Sequence, residues 1–367
     1  MNGSPNLVNT VSEARQAESK GQYEKAFQIL SPYWDGYSQF PNAIGFSDLE
    51  TAELFMRFGS IVGYLGNTQR ITNSQEISKN LLTQARRKFI SIANFEKTAE
   101  CENYLAMAYQ RTGELTEAMD WLSESYSRNL PVYHPTRINS YIIETVLDIE
   151  SGKYERILQR CEELREVFEY HASALDNGSF HNNLAIAHKN LGNSEEAQKH
   201  LKAARGFFHQ ANHLSYYASV ENNLAQLLHK NGQFEEAHVC AENAIKIFQQ
   251  IGDRMREGYS LETRSQIYTA EGDLEKALKF VNQAIELLEG GESYRKLVES
   301  YRSKIKILLG LDRLAEALTT MTAAHNIAAL YISPEFSREI IESTAALIEK
   351  KYDSNKISHE QTRKGTK

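Results

Sequence analysis

HNNLAIAHKNLGNSEEAQKHLKAA (His181–Ala204) and ENNLAQLLHKNGQFEEAHVCAENA (Glu221–Ala244) are two versions of one pattern, set 40 residues apart. Each carries the quartet NNLA from its second residue and reaches a glycine eight residues after its leucine (Gly192, Gly232). It then continues through an acidic pair to an alanine five residues past the glycine (Ala197, Ala237). The turn segment recurs elsewhere as GQYEKA (Gly21–Ala26), GELTEA (Gly113–Ala118), GKYERI (Gly152–Ile157) and GDLEKA (Gly272–Ala277). Leading glycines at 113, 152, 192, 232 and 272 keep one phase, and Asp312 with Ala317 extends it by another unit. A repeat of this length is the signature of stacked helical hairpins.

The pattern fits a helix, a turn and a second helix. Glycine stands where the first helix must end in a left-handed conformation. The acidic pairs Glu195–Glu196 and Glu235–Glu236 sit at the positive end of the second helix. Ala118, Ala197, Ala237, Ala277 and Ala317 let two helices cross closely. Leu122, Leu201 and Val281, then Ala204, Ala244, Ala284 and Ala324, follow at helical spacing and form the buried stripe.

The expected fold is therefore all-α, a right-handed superhelical solenoid of about eight hairpins over 5–352. The units fall near 5–35, 50–97, 98–131, 137–172, 177–212, 217–251, 257–290 and 297–330. A capping helix over 334–352 closes the last unit, and the polar segment 353–367 is expected to be disordered. In the second unit Phe58, Gly59 and Gly66 match Leu184, Ala185 and Gly192, with an insertion near Ile71–Leu82 before Ala85 and Phe89. The aromatic stretch Ser31–Phe46 reads as an ordered connection that plugs the first hydrophobic end.

Leu105–Ala106, Leu184–Ala185 and Leu224–Ala225, each ahead of its glycine, and the aromatics Tyr109 and Tyr268 four residues before theirs, resemble the tetratricopeptide repeat. The units are longer than the usual repeat, as in kinesin light chains and in bacterial signalling regulators. The resemblance implies that successive first helices line a groove that takes a peptide or a partner protein.

Along those first helices, one position reads Asn103, Ile142, Asn182, Asn222, Glu262, Arg302, and the next adds Asn183 and Asn223. An asparagine offers a donor and an acceptor on one short arm, suited to the amides of an extended peptide. In peptide-binding members of the family, first-helix asparagines hold the ligand backbone, and these residues look similar. Lys189 and Lys230, with Asn139 and Tyr259 nearer the helix starts, complete the candidate surface. The paired lysines resemble part of a carboxylate clamp, whose full basic set is not matched.

Other readings carry less. A charge of −7 and a pI near 5.9 give no basic face for direct nucleic-acid binding. No apolar run approaches membrane-spanning length, and MNGSPNLVNT lacks a secretion signal, so a cytoplasmic location is expected. Cys101, Cys161 and Cys240 lie far apart and read as reduced core residues. His181 with His188 and His209 with His213 have spacings seen in metal sites but lack accompanying acids, so neither metal nor cofactor is expected. No GxSxG, GxxxxGK[ST] or GxGxxG motif is present, which argues against an enzyme. The expectation is a non-enzymatic scaffold or adaptor. A ligand-responsive sensor acting through a separate output protein is the first alternative. A structural subunit anchored by aromatics such as Tyr126, Tyr133, Phe207, Phe208, Tyr216 and Tyr217 is the second.

Overall fold

A computed structural model describes residues 7–34, 40–69, 73–289, 291 and 293–364. Among them every regular element is helical. The chain divides into two compact units, Met1–Leu227 with Gln250–Gly252 and Leu228–Gln249 with Asp253–Lys367, where the repeat alone suggests one body over 5–352.

The first unit begins with the hairpin α1 (Leu7–Ser19) and α2 (Tyr23–Leu30). Next come the pairs α3 (Asp48–Gln69) with α4 (Ser74–Ser91) and α5 (Phe95–Thr112) with α6 (Leu115–Ser127). In the fourth unit α7 (Pro135–Glu150) faces a second helix broken into α8 (Tyr154–Glu163) and α9 (Arg165–His171). The pair α10 (Ala174–Asn190) and α11 (Ser194–Gln210) follows, then α12 (Leu214–Lys230), whose last residues fall in the second unit. That unit contains α13 (Phe234–Ile251), the pairs α14 (Arg254–Glu271) with α15 (Leu274–Leu288) and α16 (Tyr294–Gly310) with α17 (Leu314–Tyr331), and the closing helix α18 (Pro334–Lys364).

The repeat residues do what their spacing requires. Gly113 ends α5 at φ +83°, and the Gly113 and Glu114 amides close onto the carbonyls of Gln110 and Tyr109 at 3.0 Å each, satisfying helix-end acceptors. Five residues on, Ala118, Ala197, Ala237, Ala277 and Ala317 are all fully buried, as are Ala204, Ala244, Ala284 and Ala324. Asp312, at the glycine position, adopts φ +62° without glycine's freedom.

Three features differ from the sequence expectation. Gly66 is no turn residue: it lies inside α3, where a Cβ would strike Ser74, so the extra residues of the second unit lengthen α3 and α4. The segment from Asp353 continues α18 as helix to Lys364. The first hairpin also makes a contact that periodicity cannot reveal. Tyr23 stacks on Tyr64 at 3.6 Å, the Tyr64 hydroxyl lies 2.9 Å from Ser215 Oγ at the start of α12, and Gly21 lies close beneath the His213 ring. The aromatic connection plugs the end in part: Trp34 is buried with Phe58 at 4.7 Å and Phe27 at 6.1 Å, Phe40 and Ile44 are exposed, and residues 35–39 lie outside the described residues.

The polar interior of this unit is anchored by Arg57, 1% exposed, whose guanidinium reaches Glu18 at 2.6 Å on α1 and Glu100 at 2.5 Å on α5. Burial pushes the Glu100 carboxyl up, but the charges of Arg57 and Lys97 outweigh it and hold the group at about 2.

Ala93, exposed in the α4–α5 turn at φ +54°, carries the strain that glycine avoids. Ala93→Gly is expected to raise unfolding stability by about 0.5–1 kcal/mol, and Gly113→Ala, where a Cβ meets no atom but φ is left-handed, to lower it by about 1 kcal/mol, both read by urea denaturation.

Candidate functional site

The first helices of successive hairpins carry the expected ladder, and the structure binds much of it together. On α5, Asn103 is 2% exposed; its Nδ2 donates to the Thr136 carbonyl at 3.0 Å and to Asn139 Oδ1 at 3.3 Å, and its Oδ1 accepts from Ser140 Oγ at 3.0 Å. Asn103 is thus a rivet between α5 and α7, whereas Asn139 itself is exposed. Asn183, also buried, donates to Thr145 Oγ1 on α7 at 2.7 Å. Asn182 is half-buried and accepts from Asn223 Nδ2 on α12 at 3.0 Å. Lys189 Nζ reaches Gln226 Oε1 at 3.5 Å.

Asn222 stands apart. It is 9% exposed, and its side-chain oxygen is buried with no hydrogen-bond partner. A buried carbonyl left unpaired costs about 1–3 kcal/mol, so an orphan here is a feature that needs an occupant or a reason.

In the second unit the same positions are also engaged. Glu262, 7% exposed, accepts from Ser303 Oγ and Gln266 Nε2, both at 3.1 Å, and burial pushes its carboxyl pKa up. Tyr259 donates to Ser293 Oγ at 3.2 Å. Arg302 pairs with Glu339 at 3.2 Å, and Lys230 is exposed.

Sequence reading did not give the hydrogen-bond partners of these residues. Thr145, Gln226 and Ser303 lie 38, 37 and 41 residues from Asn183, Lys189 and Glu262, about one repeat away. Polar residues one period apart were the available signal.

The histidine spacings resolve differently. His213 is buried, stacks on Tyr216 at 4.0 Å and accepts from the Tyr216 amide at 3.2 Å through Nδ1, so packing and helix capping account for it. Among the described residues no group of three or more His, Cys, Asp and Glu side chains is arranged to hold a metal. Cys101, Cys161 and Cys240 are buried and form no disulfide with one another. Of the aromatic anchors, Phe208 is buried and Tyr126 donates to Glu144 at 2.7 Å, while Tyr133 is exposed.

A two-helix unit recurring with a turn glycine, a crossing alanine and polar first helices defines a helical-repeat protein. The particular repeat follows from comparison: tetratricopeptide-repeat family models match residues 216–290 and 98–128, so the chain contains tetratricopeptide repeats there. No curated protein matches it. Among solved structures it is similar to a Rap protein complexed with competence and sporulation factor, with TM-score 0.61 and 15% identity over 89% of this chain and 98% of that one. The apo form of the quorum sensor NprR from B. thuringiensis gives TM-score 0.61 and 15% identity over 88% and 87%. Aspartyl phosphate phosphatase F from Bacillus subtilis gives TM-score 0.57 and 14% identity over 89% and 96%. At these identities the likeness is one of fold. Among the described residues no helix is long and apolar enough to cross a membrane.

Asn183→Ala is expected to cost about 1 kcal/mol of stability by removing the buried bond to Thr145, whereas Asn222→Ala, which deletes an unpaired oxygen, is expected to leave stability unchanged or raise it; thermal melts of the two variants check the contrast.

Proposed function

We propose that this chain is a non-enzymatic, cytoplasmic scaffold that binds an extended peptide or a protein segment along the polar ladder of its first helices. The observation that carries the reading is the Asn222 carbonyl oxygen, buried and unpaired beside Asn223, which is already tied to Asn182. A rotation of the Asn222 side chain that brings this oxygen to the surface would let a peptide backbone N–H donate to it and remove the cost of leaving it unmet. The adjacent Gln226, with its Lys189 contact, adds a side-chain amide and a cation one turn along α12. The three buried cysteines form no disulfide with one another, which suits a reducing compartment. One neighbour of the same fold was crystallised with competence and sporulation factor, and another is described as a quorum sensor, which lends support to a signal or partner captured by this architecture.

The second reading, a ligand-responsive sensor, is favoured by the contact that Tyr64 makes with Ser215 across 151 residues. A contact so distant in sequence is one that two conformations can make or break. Under this reading ligand binding changes the radius of gyration in small-angle scattering; under the scaffold reading it leaves it unchanged.

The direct test selects ligands from a displayed library of linear peptides and measures their affinity for wild type and for Asn222→Ala. A loss of tenfold or more with unchanged melting temperature is expected, about 1.4 kcal/mol for one buried hydrogen bond. Equal affinity would remove Asn222 from the binding surface, and with it the ladder as proposed.

A further inference from the structure

Three histidines meet inside the fifth hairpin. His181 on α10 and His200 on α11 bring their Nδ1 atoms to 2.8 Å, with ring centroids 5.1 Å apart. His188, two turns along α10, lies parallel to His200 at 5.4 Å. Phe207 stacks on His181 at 5.5 Å, and Phe180 meets its edge at 5.7 Å. The cluster occupies the seam between the two helices where the repeat elsewhere places Tyr109 against Trp121 and Tyr268 against Phe280.

The geometry has a proton limit. A single hydrogen bridges the two Nδ1 atoms, so one ring donates and the other accepts. An imidazolium carries a proton on both nitrogens. Two imidazolium rings would direct two N–H groups at one another across 2.8 Å, and the pair must then separate.

The charged groups nearby do little to offset this. Glu196 on α11 has a carboxylate 4.0 Å from His200 Nε2, and Lys199 beside it opposes that pull. Glu144 and Asp148 on α7 are bound to Arg156 of α8, with Arg160 of α8 also on Glu144, and Arg165 of α9 pairs with Glu162. Arg205 of α11 is held by Glu221 of α12 at 3.4 Å. Burial, and then the charges of His181 and His188, push His200 down to about 4; burial lowers His181 and His188 as well.

We propose that His181, His188 and His200 form an acid-sensitive joint: in mildly acidic solution the α10–α11 hairpin loosens and takes Asn182 and Asn183 with it. Because the folded state holds these rings below the ordinary histidine value near 6.5, their contribution to stability is complete above that pH. It is lost progressively as pH falls from there toward 4.

Hydrogen exchange of the full chain at pH 7.5 and pH 5.5, corrected for intrinsic rates, tests this by mass spectrometry. The α14–α15 hairpin, which contains no histidine, serves as the internal reference. Protection of α10–α11 is expected to fall about tenfold relative to α14–α15 at the lower pH, the factor that linkage assigns to His200 alone. In His200→Gln the selective loss should largely vanish. Equal protection at both pH values, or a selective loss that persists in His200→Gln, overturns the proposal. Should that variant not fold, the wild type still decides: a nitrogen-15 imidazole titration placing His200 at 6 or above overturns it, and one placing it well below supports it. No ligand enters these readouts, so they stand or fall separately from the peptide-binding reading.

Discussion

The close crossing of two helices at a methyl-sized side chain governs this protein. Ala118, Ala197, Ala237, Ala277 and Ala317 are each fully buried at that crossing, and larger side chains there would overpack the seam at a cost of about 1–3 kcal/mol. Where the first helix must come closer still, glycine takes the opposite position: a Cβ on Gly178 would fall 2.5 Å from the Phe208 ring, and one on Gly258 3.1 Å from Leu288. Turn length, helix register and the 40-residue period follow from holding that approach constant from one unit to the next. Neighbouring hairpins then bury the stripe Leu122, Leu201 and Val281, which a single hairpin could not cover.

Stacking first helices against one another creates a second demand, because their polar residues are drawn out of water together. The response is hydrogen bonding at one period. Asn103 to Asn139, Asn183 to Thr145, Asn223 to Asn182 and Ser303 to Glu262 span 36, 38, 41 and 41 residues. The buried Arg57 obeys the same rule with charges, reaching Glu18 and Glu100 at separations of 39 and 43. Such pairs fix the register between units more than they add net stability, since burying ions costs nearly what their attraction returns. Among the ladder residues the unpaired oxygen of Asn222 departs from this rule; Asp148 Oδ2 on α7 and His229 Nδ1 on α12 are other buried atoms of first helices without a partner.

The hairpins could be read from the sequence because glycine and alanine recur at these positions in most units, with Asp312 at the turn and Ile157 at the crossing as exceptions. The ladder was legible as positions but not as bonds. NNLA at 182–185 and at 222–225 looks identical, yet Asn182 accepts from α12, Asn183 donates to α7, and Asn222 keeps a free oxygen. The choice depends on which residue the next helix presents, and that is settled by packing. Gly66 misled for a related reason: a glycine at the turn phase is also what lets α3 run close to Ser74, and only the length of the helix distinguishes the two uses. The Tyr64–Ser215 contact leaves no trace in any local pattern, being set by how several units add up.

Helix α10 shows how these demands meet. His181, Asn182 and Asn183 are consecutive, so about 100° of helix rotation separates each from the next. The first faces the seam with α11, the second a bond from α12, and the third a bond to α7. A packed helix moves as a body, so a change at any one of these contacts is felt at the other two. In the third and seventh units the aromatics Tyr109 and Tyr268 fill that place in the seam instead. Histidines keep the stacking area and add a charge state, and they do so on the helix that holds two of the ladder's asparagines.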